Sequence, residues 1–316
     1  MKKIRAIFIV LSIAVILSIG ISAMGLQLEN FNLNDTTAIG NNHGSNENKL
    51  QNVSAETNVK EDVLGKIELH FLDVGQGDST LVILPNNKTM LIDAGKREYG
   101  TSVVNYIKKL NISKIDYLVM THPDADHIGG MSTVINNFDI GTIYMSDVTS
   151  TTKTFEDLLL NIDSKGLTIS TLKANDIILE SDDFNVTLLS PIKKYSDNND
   201  MSLVIHITYM NNSFLLMGDA GTKVENDILN SNSNIIADLI KIGHHGSSYS
   251  SNTKFIEKVS PQFAIISCGK DNQYGHPSSQ ILEILEKNGV KVYRTDEVRN
   301  IIAISDGNSI DIEYNT

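Results

Sequence analysis

The sequence predicts an α/β (α+β) fold in which two β-sheets pack together and helices cover their outer faces. Segments with strand patterns are followed by segments with helix patterns, and this order occurs twice along the chain. Sheets and helices that each bury one face suit such a layered arrangement. Roughly 250 residues remain from Lys66 onward, which is enough for one large domain with a substantial core.

The first predicted elements are strands. Lys66–Val74 alternates between apolar and polar residues, and Ser79–Leu84 and Thr89–Ile92 predict two more strands joined by a Pro-Asn-Asn-Lys turn. An amphipathic helix is expected over Ser102–Leu110, and the apolar run Ile115–Met120 predicts a buried strand.

The later elements continue this alternation. Strands are expected near Thr142–Met145, Thr168–Leu172, Phe184–Leu189, Ser202–Tyr209, Ser213–Met217, Leu239–Ile242, Phe263–Ser267 and Val290–Tyr293. Helices are expected over Met131–Ile135, Phe155–Ser164, Thr222–Leu229, Thr253–Val259 and Ser278–Lys287. Two further strands are predicted to close the chain.

The N-terminal region predicts a location outside the cytoplasm. Residues 1–26 combine a short basic start with an apolar run of nearly membrane-spanning length, which indicates a signal peptide or a membrane anchor. Small residues end this run without a clean A-x-A cleavage pattern, so both alternatives stay open. Residues 27–64 are rich in Asn, Thr, Ser and Glu and predict a disordered tether. We expect the domain at 65–316 to be secreted or held at the cell membrane.

Composition excludes several classes of function. The formal charge of −12, from 26 basic and 38 acidic residues, excludes nucleic-acid binding through bulk electrostatics. Cys268 is the sole cysteine, so an intrachain disulfide and a cysteine-based zinc finger are both excluded. Cys268 ends an apolar run and is interpreted as a small core residue.

The segment Thr121–Gly130 carries the densest chemical signal. His122, Asp124, Asp126 and His127 fall within six positions and directly follow the predicted strand at Ile115–Met120. Imidazoles and carboxylates on a loop between a strand and a helix can converge on one divalent cation, or on two. Asp126 alone could instead cap the next helix, but capping does not explain two histidines and a second aspartate.

Other polar residues also follow apolar strands. Asp93, Asp219, the pair His244-His245, and His276 each stand after a predicted strand. Strand ends that meet at one rim of a sheet are where mixed folds build sites. Taken singly, Asp93 and Asp219 could stabilise turns, and His276 could cap the helix that starts at Ser278. Together with the dense cluster, they predict a site.

These motifs identify a resemblance. The chain resembles the metallo-β-lactamase-fold hydrolases, and within them the extracellular hydrolase domain of ComEC-type competence (DNA-uptake) proteins. The resemblance covers about 65–316 and implies an αββα sandwich of two mixed sheets and a two-metal site. The segments that carry it are Phe71–Ser79, Leu91–Gly95, His122–His127, Met201–Val204, Leu216–Asp219, His244–Ser247 and Tyr274–Pro277.

The resemblance implies a set of metal ligands. His122 and Asp124 stand where the family's first metal takes its ligands, and Asp126 and His127 stand where the second does. Asp219 matches the carboxylate that bridges both ions.

The resemblance also implies roles around these ligands. One histidine of His244-His245 matches the last ligand; we favour His245, with His244 facing the substrate. Asp93 matches a buried aspartate that orients the site. Asp78 is expected either to line the rim or to hold a ligand histidine.

Two departures from the family pattern stand out. The common His-x-His has become His122-x-Asp124, and the usual third-motif histidine is missing from 198–202. ComEC-like members share both features. The change lowers the number of nitrogen ligands and raises the number of oxygen ligands. This shifts the expected metal preference from zinc toward manganese, and zinc remains the alternative. His206 lies within a predicted strand and is interpreted as a face residue.

The resemblance implies a hydrolase in which two divalent ions, Zn²⁺ or Mn²⁺, activate a water. The substrate expected first is a phosphodiester, with DNA as one candidate, and Asp126, His244 and His276 are the candidate catalytic residues. A similar double histidine in secreted phosphorylcholine esterases supports wall or lipid phosphoesters as the alternative substrates. A non-catalytic binding module on the same fold is a third alternative. β-Lactam hydrolysis is disfavoured because the third-motif histidine is absent.

Overall fold

The computed structural model describes residues 65–314, and within them two mixed β-sheets lie face to face. The first sheet has eight strands in the order β15-β14-β1-β2-β3-β4-β5-β6. Their bounds are β1 Ile67–Phe71, β2 Thr80–Ile83, β3 Thr89–Ile92, β4 Lys114–Met120, β5 Asp139–Ser146, β6 Ile169–Leu172, β14 Ile301–Ser305 and β15 Ile310–Tyr314. Strands β3 to β6 are parallel, and the other pairs are antiparallel.

The second sheet repeats this design over the described residues. Its seven strands run in the order β13-β12-β11-β10-β9-β8-β7. Their bounds are β7 Ile177–Glu180, β8 Phe184–Ser190, β9 Val204–Tyr209, β10 Asn212–Leu216, β11 Leu239–Lys241, β12 Phe263–Ile266 and β13 Lys291–Arg294. Strands β10 to β13 are parallel, because a helix returns the chain after each of β10, β11 and β12.

Helices cover the outer face of each sheet. The helix Gly100–Lys109 shows the reason, since it buries Val103, Val104 and Ile107, which lie on one face at helical spacing. The other α-helices are Ala125–Ile128, Met131–Ile135, Lys153–Ser164, Thr222–Asn230, Thr253–Val259, Ser279–Lys287 and Thr295–Val298, and three short 3-10 helices within the described residues span Arg97–Tyr99, Asn199–Met201 and Gly243–Gly246. Three apolar clusters fill the layers, one between the sheets and one beneath each set of helices.

The structure confirms the predicted fold and adds, within the described residues, one strand and two α-helices that the sequence did not predict: β7, Ala125–Ile128 and Thr295–Val298. Strand β7 consists of Ile-Ile-Leu-Glu, a short sequence in which apolar and polar residues do not alternate. The short helix Thr295–Val298 follows β13 directly. The predictions for 1–26 and 27–64 lie outside the described residues. Within 65–314, no helix combines the length and apolarity that crossing a membrane requires.

The topology brings the ends of central strands together at one rim. Asp93 follows β3, and the segment 121–127 follows β4 in the first sheet. Asp219 follows β10, and the pair His244-His245 follows β11 in the second sheet. Parallel strands end at the same edge of a sheet, so these polar residues lie at one edge of the sandwich.

Candidate metal centre

A short loop and a single helical turn deliver the first group of site residues. Asp124 has an extended backbone, and its carbonyl oxygen accepts hydrogen bonds from the N–H groups of His127 and Ile128, both at 3.0 Å. This turn folds back so that the rings of His122 and His127 lie 4.1 Å apart between centroids. Close packing of the loop requires glycine at 130, because a Cβ there would collide with the carbonyl oxygen of Ala94.

The buried carboxylate of Asp93 holds this loop in place through hydrogen bonds. Its carboxylate accepts hydrogen bonds from the Thr121 N–H at 2.9 Å, the Thr121 hydroxyl at 2.6 Å and His127 Nδ1 at 2.7 Å. Since His127 donates from Nδ1, its Nε2 is free to face the centre, where it lies 3.3 Å from Asp219 Oδ1. This contact is the one that the predicted orienting role of Asp93 requires.

Asp219 lies in the middle of the cluster. The hydroxyl oxygen of Ser202 accepts a hydrogen bond from the Asp219 N–H at 3.0 Å and thereby fixes the backbone. Asp219 Oδ2 lies 3.9 Å from His122 Nε2 and 3.5 Å from His245 Nε2. His244 Nε2 also lies 3.9 Å from Asp219 Oδ2. A carboxylate surrounded by imidazoles from two segments, the loop after β4 and the turn after β11, has the placement that a bridging ligand needs.

A left-handed turn separates the roles of the two adjacent histidines. His244 and His245 have φ values of +49° and +54°, which point their side chains in different directions. His245 is buried, and its Nδ1 donates to the Ser267 carbonyl oxygen at 3.0 Å, which leaves Nε2 facing Asp219. The side chain of His244 is 27% exposed. The assignment of His245 as the ligand stays a prediction, and its geometry meets what that role requires.

The two outer aspartates complete the set. Asp126 Oδ2 lies 3.6 Å from His245 Nε2, and Asp124 Oδ2 lies 3.9 Å from His122 Nε2. Both carboxylates are more exposed than Asp219, and they close the cluster on the solvent side. The structure thus brings all six predicted ligands together.

Divalent metal ions fit this donor set. Within residues 65–314, the buried atoms His122 Nε2, His127 Nε2, His245 Nε2 and Asp219 Oδ1 have no hydrogen-bond partner. A buried polar atom without a partner costs about 1–3 kcal/mol, so four such atoms facing one another need a common partner. Imidazole nitrogens with carboxylate oxygens are suitable ligands for zinc or manganese.

The charges of the cluster are strongly coupled. Burial raises the pKa of Asp219, but the charges of His245 and His127 outweigh it and hold that pKa well below its usual range. Burial lowers the pKa of His245, yet Asp219 and Asp78 raise it to about 10. Burial and the charge of His127 lower the pKa of His122 to about 4. Metal binding therefore competes with protons on His245.

A buried ion pair supports the cluster from the core side. Asp78 is buried and forms an ion pair with Lys241, whose side chain is 3% exposed. Asp78 Oδ1 also lies 3.4 Å from His245 Nδ1. Burial raises the pKa of Asp78, but Lys241 and His245 bring it down to about 2. Asp78 is buried against His245, which is the arrangement that the second of its two expected roles, holding a ligand histidine, requires; that role stays a prediction.

His276 lies on the open side of the cluster. Gln76 Nε2 approaches His276 Nδ1 at 3.4 Å, and the rings of His276 and His244 lie 5.7 Å apart. His244 Nε2 also lies 3.4 Å from Asn199 Nδ2. Burial and the charges of His245 and His244 lower the pKa of His276. Two imidazoles thus face the solvent side of the predicted metal ligands.

The capping alternatives do not hold. Ser278, not His276, caps the helix Ser279–Lys287 by accepting a hydrogen bond from the Ile281 N–H at 3.4 Å. Asp126 lies inside the helix Ala125–Ile128, which has no side-chain cap.

Two other residues lie away from the cluster. His206 Nε2 donates to the Ile236 carbonyl oxygen at 3.0 Å, consistent with its interpretation as a face residue. Cys268 is buried, and its Sγ donates to Asp296 Oδ1 at 3.1 Å.

Sequence reasoning missed several supporting residues. Thr121, Ser202 and Lys241 contact the predicted ligands or their partners, and Asn198 and Gln76 contact residues at the rim. The one visible signal was Lys241, a lysine inside an otherwise apolar strand that runs into His244-His245. The others are common polar residues whose role depends on contacts with distant segments.

Comparisons with known proteins found a family and several relatives that are similar to this chain. The profile described as "Metallo-beta-lactamase superfamily" matches residues 72–270. "ComE operon protein 3" of Bacillus subtilis is 30% identical over 248 residues, which are 73% of this chain and 32% of that protein. "Competence protein ComA" of Neisseria gonorrhoeae is 29% identical over 227 residues, 71% of this chain and 30% of that protein. The matched region thus spans about a third of these relatives.

Solved structures share the fold. A CmlA beta-hydroxylase mutant superposes with a TM-score of 0.51 at 14% identity, covering 75% of this chain and 53% of that chain. At this identity the likeness concerns the fold alone.

Proposed function

Because the chain belongs to the metallo-beta-lactamase superfamily, we propose that it is an extracytoplasmic, metal-dependent hydrolase of phosphodiesters. The observation that carries the proposal is the set of buried, unpartnered imidazole and carboxylate atoms of His122, His127, His245 and Asp219. Three imidazoles around one carboxylate suit a centre for two divalent ions, zinc or manganese.

The ligand set favours phosphoesters over β-lactams. Asp124 replaces a histidine of the common pattern, and Asn198, in the segment where the third-motif histidine is missing, contacts it. Oxygen-rich centres suit harder ions such as manganese, which bind phosphate oxygens well. Similarity to proteins named for competence supports DNA as the first candidate substrate. The net charge of −12 implies that a DNA strand would be held locally, at the site itself.

The chain's own residues divide the chemical work. When bound, two divalent ions supply Lewis acidity toward a water molecule and a phosphate oxygen. Asp219, Asp126 and His245 hold the centre together. His244 and His276, on the open side, are placed to donate hydrogen bonds to phosphate oxygens or a proton to the leaving oxygen. The pKa of His276 is lowered by burial and by the charges of His245 and His244, which favours the neutral ring, and a neutral imidazole can donate one hydrogen bond.

The location outside the cytoplasm belongs to the same proposal. It is supported by the basic start and apolar run of residues 1–26. If the segment is retained, the domain stays attached to the membrane through it, and if it is cleaved, the domain is secreted.

A second candidate function is hydrolysis of phosphorylcholine esters on wall polymers or lipids. The observation that favours it is the His244-His245 pair, in which one histidine is buried and the other faces the open side. A binding module that has lost catalysis is the remaining alternative.

A substrate panel tests these functions. The purified full-length chain, loaded with manganese or zinc, is offered bis-p-nitrophenyl phosphate, single-stranded DNA and a phosphorylcholine ester. We expect turnover of the small diester and of DNA. Cleavage of the choline ester alone would replace the first proposal by the second, and no turnover with two bound ions would leave a binding module.

The matched control is Asp126→Ala. We expect this variant to lose activity and metal loading and to retain the fold, because Asp126 is a partly exposed residue of the short helix Ala125–Ile128. Metal content and circular dichroism measure the two properties, and retained activity would refute the ligand assignment.

A further inference from the structure

The residues at the two departures from the family's ligand pattern, Asp124 and Asn198, are in contact in the structure. Asn198 Nδ2 donates a hydrogen bond to Asp124 Oδ1 at 3.2 Å, although 74 residues separate them in sequence. Among residues 65–314, no other side chain forms a hydrogen bond to this carboxylate. The bond occupies Oδ1 and leaves Oδ2, which lies 3.9 Å from His122 Nε2, on the side of the centre.

The backbone holds Asn198 firmly in this place. Its carbonyl oxygen accepts a hydrogen bond from the Met201 N–H at 3.0 Å, and Met201 is buried in the core. Two residues later, the Leu203 N–H donates to the Thr121 carbonyl oxygen at 3.1 Å. This bond ties the segment directly to the start of the ligand loop, so Asn198 has a defined position relative to Asp124.

The two predicted metal positions are unequal. Asp126, His127 and His245 offer ligand atoms that all lie within 4.8 Å of one another, and both imidazoles are buried. At the other position, the imidazole next to Asp124 is His122, and the Asp124 side chain is 40% exposed. Fewer nitrogen ligands and more solvent weaken the binding of late transition metals, zinc in particular.

We propose that Asn198 is a positioning residue that holds Asp124 as a single-oxygen ligand. The position formed by His122, Asp124 and Asp219 is thereby the weaker and more oxygen-rich of the two. Zinc fills the position of Asp126, His127 and His245 first, and the weaker position is the one at which manganese competes best. This inference rests on the two-metal centre of the proposed function.

Metal titrations of the full-length chain test the inference without any substrate. Equilibrium dialysis with elemental analysis gives two dissociation constants each for zinc and manganese. We expect Asp124→Ala to lose the weaker step and keep the tighter one. Asn198→Ala should weaken that same step by about tenfold, the usual effect of losing a partner of a metal ligand, and leave the tighter step unchanged. Asn198→His, which adds an imidazole, should strengthen the weaker step, and more for zinc than for manganese.

Asn199→Ala is the matched control, because Asn199 contacts His244 and not Asp124. Both constants should stay at their wild-type values in this variant. Unchanged constants in Asn198→Ala, loss of the tighter step instead, or no gain in Asn198→His would each overturn the inference. The gain expected for Asn198→His cannot come from damage to the fold. Two ions bound as described with no phosphodiester turnover would refute the proposed function and leave this inference standing.

Discussion

At the scale of single residues, Asp93 shows how one carboxylate can organise several others. It has a positive φ of +57° and accepts three hydrogen bonds, two from Thr121 and one from His127. These bonds fix the ring orientation of His127 and hold the start of the loop that carries His122. A conformation that costs backbone energy is kept here because the contacts of the site depend on it.

We expect Asp93→Asn to weaken the tighter metal-binding step by about tenfold to a hundredfold. The amide can no longer accept from both Thr121 and His127, so His127 loses its fixed orientation. Metal titration by equilibrium dialysis measures the change. Asp311→Asn, on the exposed face of the edge strand β15, is the control and should bind metal like the wild type. Wild-type affinity in Asp93→Asn would contradict the orienting role.

Substitutions of the two adjacent histidines should affect different properties, metal binding at His245 and catalysis at His244. His245→Ala is expected to lose metal, because its imidazole lies within 3.6 Å of both Asp126 and Asp219. His244→Asn should keep both ions and lower kcat by about a hundredfold or more, the usual contribution of an acid or base group. Asparagine is chosen because it tolerates the left-handed backbone at this position. Metal content and turnover of bis-p-nitrophenyl phosphate are the readouts, and metal loss in His244→Asn would reverse the two assignments.

At the scale of elements, the predictable parts were those with a local signal. Strand β3 and the helix Thr253–Val259 have the bounds that their patterns predicted, because apolar periodicity and capping residues act within a few positions. The predicted ligands were visible because each follows an apolar strand. The contacts Asp78–Lys241 and Asp124–Asn198 join segments far apart in sequence. Only the tertiary fold reveals them.

Glu225 links two elements of the second half. It lies buried in the helix Thr222–Asn230, and its carboxylate accepts hydrogen bonds from the N–H groups of Ser251 and Asn252 and from the Asn252 side chain. Asn252 in turn caps the helix Thr253–Val259. Burial raises the pKa of Glu225 from 4.5 to about 7 against these hydrogen bonds, so the folded chain binds its proton more tightly than the unfolded chain does.

The sign of the resulting pH dependence follows from this raised pKa. The contribution of Glu225 to stability is fully present below pH 4.5 and is lost as pH rises through about 7. The loss amounts to roughly 3 kcal/mol. We expect the free energy of unfolding to fall less steeply between these pH values in Glu225→Gln than in the wild type. Urea denaturation at fixed metal concentration measures both slopes, and equal slopes would contradict the assignment.

At the scale of the whole molecule, the centre joins the two sheets. His122, Asp124, Asp126 and His127 come from the loop after β4 in the first sheet. Asp219 and His245 follow β10 and β11 in the second. The two halves of the sandwich therefore meet at their rim through a cluster of carboxylates and imidazoles as well as through the apolar layer between the sheets. Divalent ions bound to these groups would hold the two halves together.

Metal should therefore stabilise the entire domain. A ligand that binds only the folded state adds about 2.7 kcal/mol when its concentration is a hundred times its dissociation constant. For a domain of this size, that corresponds to a rise of roughly 5–10 °C in Tm. Calorimetry of the full-length chain in chelator and in excess manganese measures the rise. Asp126→Ala should show little of it, because the tighter position has lost a ligand, whereas Asp311→Asn should show all of it. Ions that bind residues of both sheets must stabilise the state in which both sheets are folded. An equal Tm with and without metal would therefore contradict the prediction that the ions join the two sheets.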